Sequence, residues 1–256
     1  MNKHIGSTSV RELVAGLLAA ATLYALPAAA HAEQRLDPQA MSVLETMSKT
    51  LAGAKSLTVR SMALYDVIQP GGIAIKLTQE SRVQVKRPNK LYARVRRDDG
   101  TRRHLWYDGK TASFYDPNDN TYSVLKAPST LESLFKELTD KHSINVPLSD
   151  LLHADPYAAF KKYLISAAYL GKRSVDGVES HHLSFESQGA DFQLWVSADD
   201  KALPLRFAIT YATEPGEPGF LALLRDWQLT PYIDDGTFEF NPPPGAKKVA
   251  FRKAAN

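Results

Sequence analysis

Between residues 73 and 87 the apolar Ile73, Ile75, Leu77, Val83 and Val85 alternate with Lys76, Thr78, Glu80, Arg82, Gln84 and Lys86. Side chains of a strand point to opposite faces with a period of two, so this segment predicts a long strand with one face in an apolar interior and the other in water. The alternation recurs in Leu57, Val59, Ala63, Tyr65 and Val67, in Phe192, Leu194 and Val196, and in Leu203, Leu205, Phe207, Ile209 and Tyr211. One large antiparallel sheet, solvated on its convex side, accounts for all four segments. A sheet that wide twists and curls, and its concave apolar face then needs a second sheet, a helix layer or a ligand against it.

Few segments can supply that cover. Asp37-Pro38 opens an amphipathic helix to about Leu51, with Leu44, Met47 and Leu51 on one face and Gly53 ending it. A second helix is expected from Ser129 to about Lys141, where Leu131, Leu134, Phe135 and Leu138 fall at i, i+3, i+4 and i+7, and a third short helical stretch near Leu148 to Tyr163. Elsewhere turn clusters at short spacing, such as Pro70-Gly71-Gly72, Asp98-Asp99-Gly100, Asp108-Gly109 and Asp116-Pro117-Asn118, predict hairpins and a meander.

The first residues read as a secretory signal peptide, residues 1–32. Lys3 and Arg11 give a positive start, Leu13 to Leu26 is an apolar run, and Ala30-His31-Ala32 supplies the small residues of a cleavage site near Ala32. That run is shorter than the roughly 20 residues that span a bilayer. The expected product is a soluble periplasmic protein formed by residues 33–256 as a single domain. The chain contains no cysteine, which removes disulfides, thiolate metal sites, cysteine nucleophiles and a lipid anchor on cysteine. Loss of Lys3, Arg11 and Glu12 with the leader lowers the formal charge of +3 by one, and so balanced a chain is expected to bind no nucleic acid.

The candidate chemistry is sparse. No nucleophile elbow, zinc-protease helix, phosphate loop or dinucleotide fingerprint is present, so no catalytic residue, metal or cofactor is assigned and no enzymatic activity is expected. His181 and His182 are neighbours on an expected strand and point to opposite faces, which does not suit one metal ion. Asp98-Asp99 and Asp234-Asp235 precede Gly100 and Gly236 and read as turn residues. Trp106, Tyr107 and Trp195 either fill the core or rim a cavity, with core favoured. Lys86, Arg87, Lys90, Arg94, Arg96, Arg97, Arg102 and Arg103 either merge into a docking patch for an acidic partner or anionic headgroups, or form a solvated face that protects sheet edges from pairing.

Three stretches, Val85-Lys86-Arg87-Pro88-Asn89, then Asp108-Gly109-Lys110-Thr111 with Phe114-Tyr115-Asp116-Pro117, then Phe238-Glu239-Phe240-Asn241-Pro242-Pro243-Pro244-Gly245, resemble landmarks of the periplasmic outer-membrane lipoprotein carriers of the Lol system, in the same order and spacing. The chain is similar as well to predicted periplasmic proteins of unknown function that share that fold. The resemblance implies an α+β, mainly β protein: an incomplete, half-open antiparallel β-barrel with helices covering the concave apolar face and a cavity that receives acyl chains. It also implies that Arg87 hydrogen-bonds to the helical lid and helps set its opening. On this reading Val59, Ile75, Leu77, Val83, Val85, Leu194 and Phe207 bind the ligand, the alternative being that they pack only as core. The expected function is a binding or carrier protein for a lipid, acylated or other hydrophobic ligand. A sensor of the same fold, acting in envelope-stress signalling through a partner protein, is the alternative. Partners are then a hydrophobic small molecule or acylated protein, with an envelope protein as a further one, and the chain itself a monomer.

Overall fold

A computed structural model describes residues 35–144 and 146–251. The signal peptide expected over residues 1–32 lies outside the described residues.

After a two-residue strand, β1 (Arg35–Leu36), Asp37 caps helix α1 (Pro38–Gly53), its Oδ1 accepting from the backbone N–H of Gln39 at 2.8 Å and Ala40 at 3.2 Å. Proline at the first helical position has no N–H to leave unmet, and the side-chain cap meets two of the others. Six strands follow as a meander: β2 (Ser56–Ile68), β3 (Ala74–Lys86), β4 (Lys90–Arg97), β5 (Arg102–Tyr107), β6 (Thr111–Asp116) and β7 (Thr121–Lys126). Helices α2 (Leu131–His142) and α3 (Pro156–Lys161), with a 3-10 turn at Ser149–Leu152 between them, interrupt the strands. The chain then returns through β8 (Leu164–Val175), β9 (Val178–Ser187), β10 (Asp191–Ser197), β11 (Pro204–Thr210) and β12 (Gly219–Leu229), and ends on β13 (Lys247–Lys248).

All the strands join one open sheet, in the order β1-β8-β9-β10-β11-β12-β2-β3-β4-β5-β6-β7-β13. Every pairing is antiparallel except the short parallel ones of β1 with β8 and β13 with β7 at the two edges. The closure between the two halves of the chain is the pairing of β12 with β2, where Phe220, Ala222 and Leu224 stand opposite Tyr65, Ala63 and Ser61. The register carries the concave face of β2 straight across the sheet. Val59 lies opposite Val83, Val83 opposite Ala93, and Ala93 opposite Leu105. The fold is thus mainly β with a few helices on one face of an unclosed sheet, as expected.

The helices divide that face between them. Helix α1 lays Leu44, Met47 and Leu51, all fully buried, against Leu183, Leu194 and Phe207, with Phe160 of α3 completing this first core. Helix α2 sets Leu131, Leu134, Phe135 and Leu138 over one end of β2 to β6, against Leu57, Val85, Leu91, Tyr107 and Ala112. The Tyr107 hydroxyl donates to the Pro128 carbonyl at 2.6 Å, and burial pushes the phenol up to about 12.

Two modest stability effects follow from the caps. Thr130 caps α2 through its hydroxyl, which accepts from Ser133 N–H at 3.2 Å. Thr130→Ala is expected to cost about 1 kcal/mol in urea unfolding. Asp37 is held below the ordinary carboxylate range first by the Ala40 N–H, against a desolvation that raises it, with the N–H groups of Gln39 and Tyr169 assisting. A carboxyl with a depressed folded pKa stabilises fully above its unfolded value, about 3.9, and loses that contribution as the pH falls through the folded value. Asp37→Ala is therefore expected to melt below the parent at neutral pH, with the gap in melting temperature closing as the pH drops below about 4.

Candidate functional site

Helix α2 reaches only one end of the strands it covers. Farther along them the concave side chains Val59, Val83, Ala93, Val95, Leu105 and Phe114 floor a hollow of about 1220 Å³ open to solvent, Val59 at the margin of the α1 core and Val83, Leu105 and Phe114 at the margin of the α2 core. Its roof and sides come from Phe135 of α2, from Ile144, Val146 to Leu148, Leu151 and Leu152 in the connection to α3, from Leu224 and Trp227 of β12, and from Val249–Phe251 just past β13. Phe251 sits against the rings of Phe114 at 4.9 Å and His142 at 4.7 Å, which fixes this last segment across the outer strands.

Polarity rises toward the mouth. Tyr65, Gln79, Arg97, Arg103 and Asp116 stand there on the concave face, and Asp66, on the neighbouring position of β2, borders it at the rim. Arg103 is bound to Asp116 at 2.7 Å, and Arg97 lies over the Tyr65 ring, 5.8 Å from its centre. The Asp66 carboxylate accepts from Lys76, which lowers it most, and from the Gly219 N–H, so it is charged at neutral pH. An apolar floor that grades into a polar mouth accommodates a long apolar chain with a polar end. The volume exceeds the about 300–1,000 Å³ of ordinary small-molecule sites.

The residues expected to bind a ligand do not all meet here. Val59 and Val83 are on the wall of the hollow. Val85 is fully buried beneath α2, and Leu194 and Phe207 are packed under α1 and α3. Ile75 and Leu77 lie toward the tip of the β2–β3 hairpin, beyond Gln79 where pairing with β4 stops, and Ile75 is 42% exposed. Period two puts all seven on one face, but it says nothing of where along a strand the helices end. Ala93, Val95, Leu105 and Phe114 were missed, although the same alternation in residues 91–97, 103–107 and 112–116 carried their signal. The contribution of Val249–Phe251 had none.

The aromatic residues divide too. Tyr107 is core, whereas Trp106 and Trp195 are on the convex side, out of phase with their apolar neighbours. Trp106 is covered by Phe240 at 5.0 Å, and Trp195 lies between the His182 ring, stacked at 4.1 Å, and the Arg206 guanidinium at 5.2 Å. His181 and His182 face opposite sides, bonded to Tyr169 and Gln193. Among the described residues no group of three or more histidine, aspartate or glutamate side chains could hold a metal ion, and no helix is long and apolar enough to cross a membrane.

The three sequence landmarks converge at the covered end. The Arg87 guanidinium, half-buried, donates from Nη1 to the Leu152 carbonyl at 2.6 Å and from Nη2 to the Leu51 carbonyl at 3.3 Å. It thereby links the β3 terminus to the last turn of α1 and to the 3-10 turn that roofs the hollow. Gly109, at φ 89°, backs directly onto the Asn89 amide, which a Cβ would strike. Asp235, just before buried Phe238, pairs with Lys86 at 2.6 Å and Lys90 at 3.0 Å.

Among curated protein sequences none matches this chain. Solved structures similar to it include the Mycobacterium tuberculosis lipoprotein LppX (16% identity, 77% of this chain and 100% of that one, TM-score 0.49). Others are LprF from Mycobacterium bovis (13%, 82% and 98%, 0.43) and a LolA superfamily protein from Nitrosomonas europaea (14%, 78% and 97%, 0.39). The profile of one family, described as predicted periplasmic protein DUF2092, covers residues 40–252, which agrees with the destination read from the leader. The chain belongs to that family.

Proposed function

We propose that this protein binds a lipid or an acylated molecule in the hollow and carries it through the periplasm without altering it chemically. The observation behind this reading is the uncovered apolar floor beside a polar mouth. Burial of a 16-carbon acyl chain yields about 12 kcal/mol gross at roughly 0.8 kcal/mol per methylene. Association costs of about 4–15 kcal/mol consume much of that, which leaves binding reversible, as a shuttle requires. In this role Arg87 holds the roof, and Val59, Val83, Ala93, Val95, Leu105 and Phe114 contact the chain.

The test is to purify the mature protein from its native host, extract it into organic solvent and analyse the extract by mass spectrometry, with a fluorescent fatty acid titrated into the delipidated protein. A bound lipid and saturable uptake of the probe are expected. An empty extract together with no uptake would overturn the carrier reading.

A further inference from the structure

The convex face of the same sheet carries an arrangement that its own stability does not require. Arg225 of β12 is directly opposite Arg60 of β2, Arg60 opposite Arg82 of β3, Arg82 opposite Arg94 of β4, and Arg94 opposite His104 of β5. Four arginines thus form one rung across four adjacent strands, about 14 Å from first to last at ordinary strand spacing. One step along the strands Arg96 faces Arg102. Like charges directly opposite one another destabilise a sheet. These strands are interior to the sheet, whose edges are β1 and β13, so edge protection does not account for the charges.

Carboxylates of the chain answer only part of the row. Asp226 pairs with Arg60 at 3.1 Å, Asp176 with Arg225 at 2.7 Å, and Glu80 with Arg96 at 2.9 Å. Among the described residues no ion pair reaches Arg82, Arg94 or Arg102. The row borders a groove of about 650 Å³ with Met62 in its wall. Met62, Leu64 and Leu221 are 47%, 37% and 37% exposed, and Leu64 stands opposite Leu221, so an apolar patch adjoins the unanswered arginines.

We propose that the convex face of β12 and β2 to β5 is a docking surface for a polypeptide segment that carries carboxylates beside apolar side chains. Arginine and methionine are both enriched at protein interfaces relative to the rest of the surface. A uniformly anionic polymer or bilayer would set like charge against Glu80 and Asp226, whereas a polypeptide can vary its side chains along the groove. This inference stands independently of the carrier reading, since the two sites occupy opposite faces.

The test uses the full mature protein and fluorescein-labelled peptides of alternating glutamate and leucine or lysine and leucine, read by anisotropy, with phosphatidylglycerol vesicles as the membrane probe. The glutamate peptide is expected to bind saturably and the lysine peptide at least tenfold more weakly. The double variant R82E/R94E is expected to bind the glutamate peptide at least tenfold less well while it melts no lower than the parent. His104, held below the usual histidine range by burial and by Arg94, reports the encounter independently by NMR: its pKa rises when carboxylates neutralise Arg94. Equal affinity of parent and double variant for the glutamate peptide overturns the proposal. So does a row-dependent binding of vesicles that matches the peptide, which assigns the face to membrane instead.

Discussion

Ala93→Trp is expected to lower the affinity for a 16-carbon fluorescent fatty acid by more than a hundredfold while the protein folds as before. Ala93 stands on the floor of the hollow between Val83 and Leu105 and belongs to neither helix-covered core. An indole added there extends into open space and not into packed core, so the overpacking penalty of a large substitution in an interior does not arise. What it removes is room. If the ring displaces four methylenes of the guest, the loss at roughly 0.8 kcal/mol each is about 3 kcal/mol, somewhat over a hundredfold. Shorter fatty acids, which do not need that part of the floor, are expected to lose less. Circular dichroism and urea unfolding should coincide with those of the parent. Unchanged affinity across chain lengths would place the acyl chain elsewhere than in the hollow.

The same geometry explains what the chain's pattern could disclose. Alternation gives the strands and their inward faces, since period two is a local property of the backbone. The strands around Leu57 to Ile68 and 73 to 87 and the helix opened by Asp37-Pro38 were legible for that reason, and so was the helix with Leu131, Leu134, Phe135 and Leu138 on one face. The boundary between core and hollow is set by long-range packing. Leu194 and Val83 have equivalent positions in their strands, yet Leu194 is sealed by α1 while Val83 borders open space. Nothing local distinguishes them, because the difference lies in how far α1, α2 and α3 extend over the sheet. The arginine row has the same character. The abundance of arginine between residues 86 and 103 was evident, but the alignment of Arg60 and Arg225 with it depends on the pairing of β12 with β2 across more than half the chain.

Arg87→Met is expected to destabilise the protein by about 2 kcal/mol and to speed release of a bound acyl probe. The guanidinium meets two carbonyls at once, those of Leu51 and Leu152, from a site where burial lowers its pKa and the negative field of Glu132 opposes that lowering. Methionine keeps the unbranched apolar stem, leaves the Leu152 carbonyl without its donor and leaves the Leu51 carbonyl with the Ala54 N–H at 3.4 Å, a loss of roughly 1.5–3 kcal/mol for bonds to a charged group, reduced by relief of its desolvation. Lysine keeps the charge but, as a compact ammonium, does not span the two acceptors as the planar fork does, so Arg87→Lys should fall between. Because Leu152 belongs to the roof of the hollow, the cost concentrates in the roof and not in the sheet. Hydrogen exchange is therefore expected to accelerate in residues 146–154 and to stay unchanged in β8 to β11. Glu132 adds a pH dependence, since its carboxylate on α2 accepts the N–H of Ala154, two residues past the 3-10 turn. Burial raises its pKa, but the N–H groups of Glu132 itself and of Ala154 outweigh burial and leave it lowered. Its contribution is complete above the unfolded glutamate value, about 4.3, and is lost as the pH falls through the lower folded value. Acidification below about pH 4 should thus loosen the roof of the parent protein, as Arg87→Met does at neutral pH. Uniform exchange across the sheet and roof, with release rates unaltered, would reduce Arg87 to an ordinary core contact.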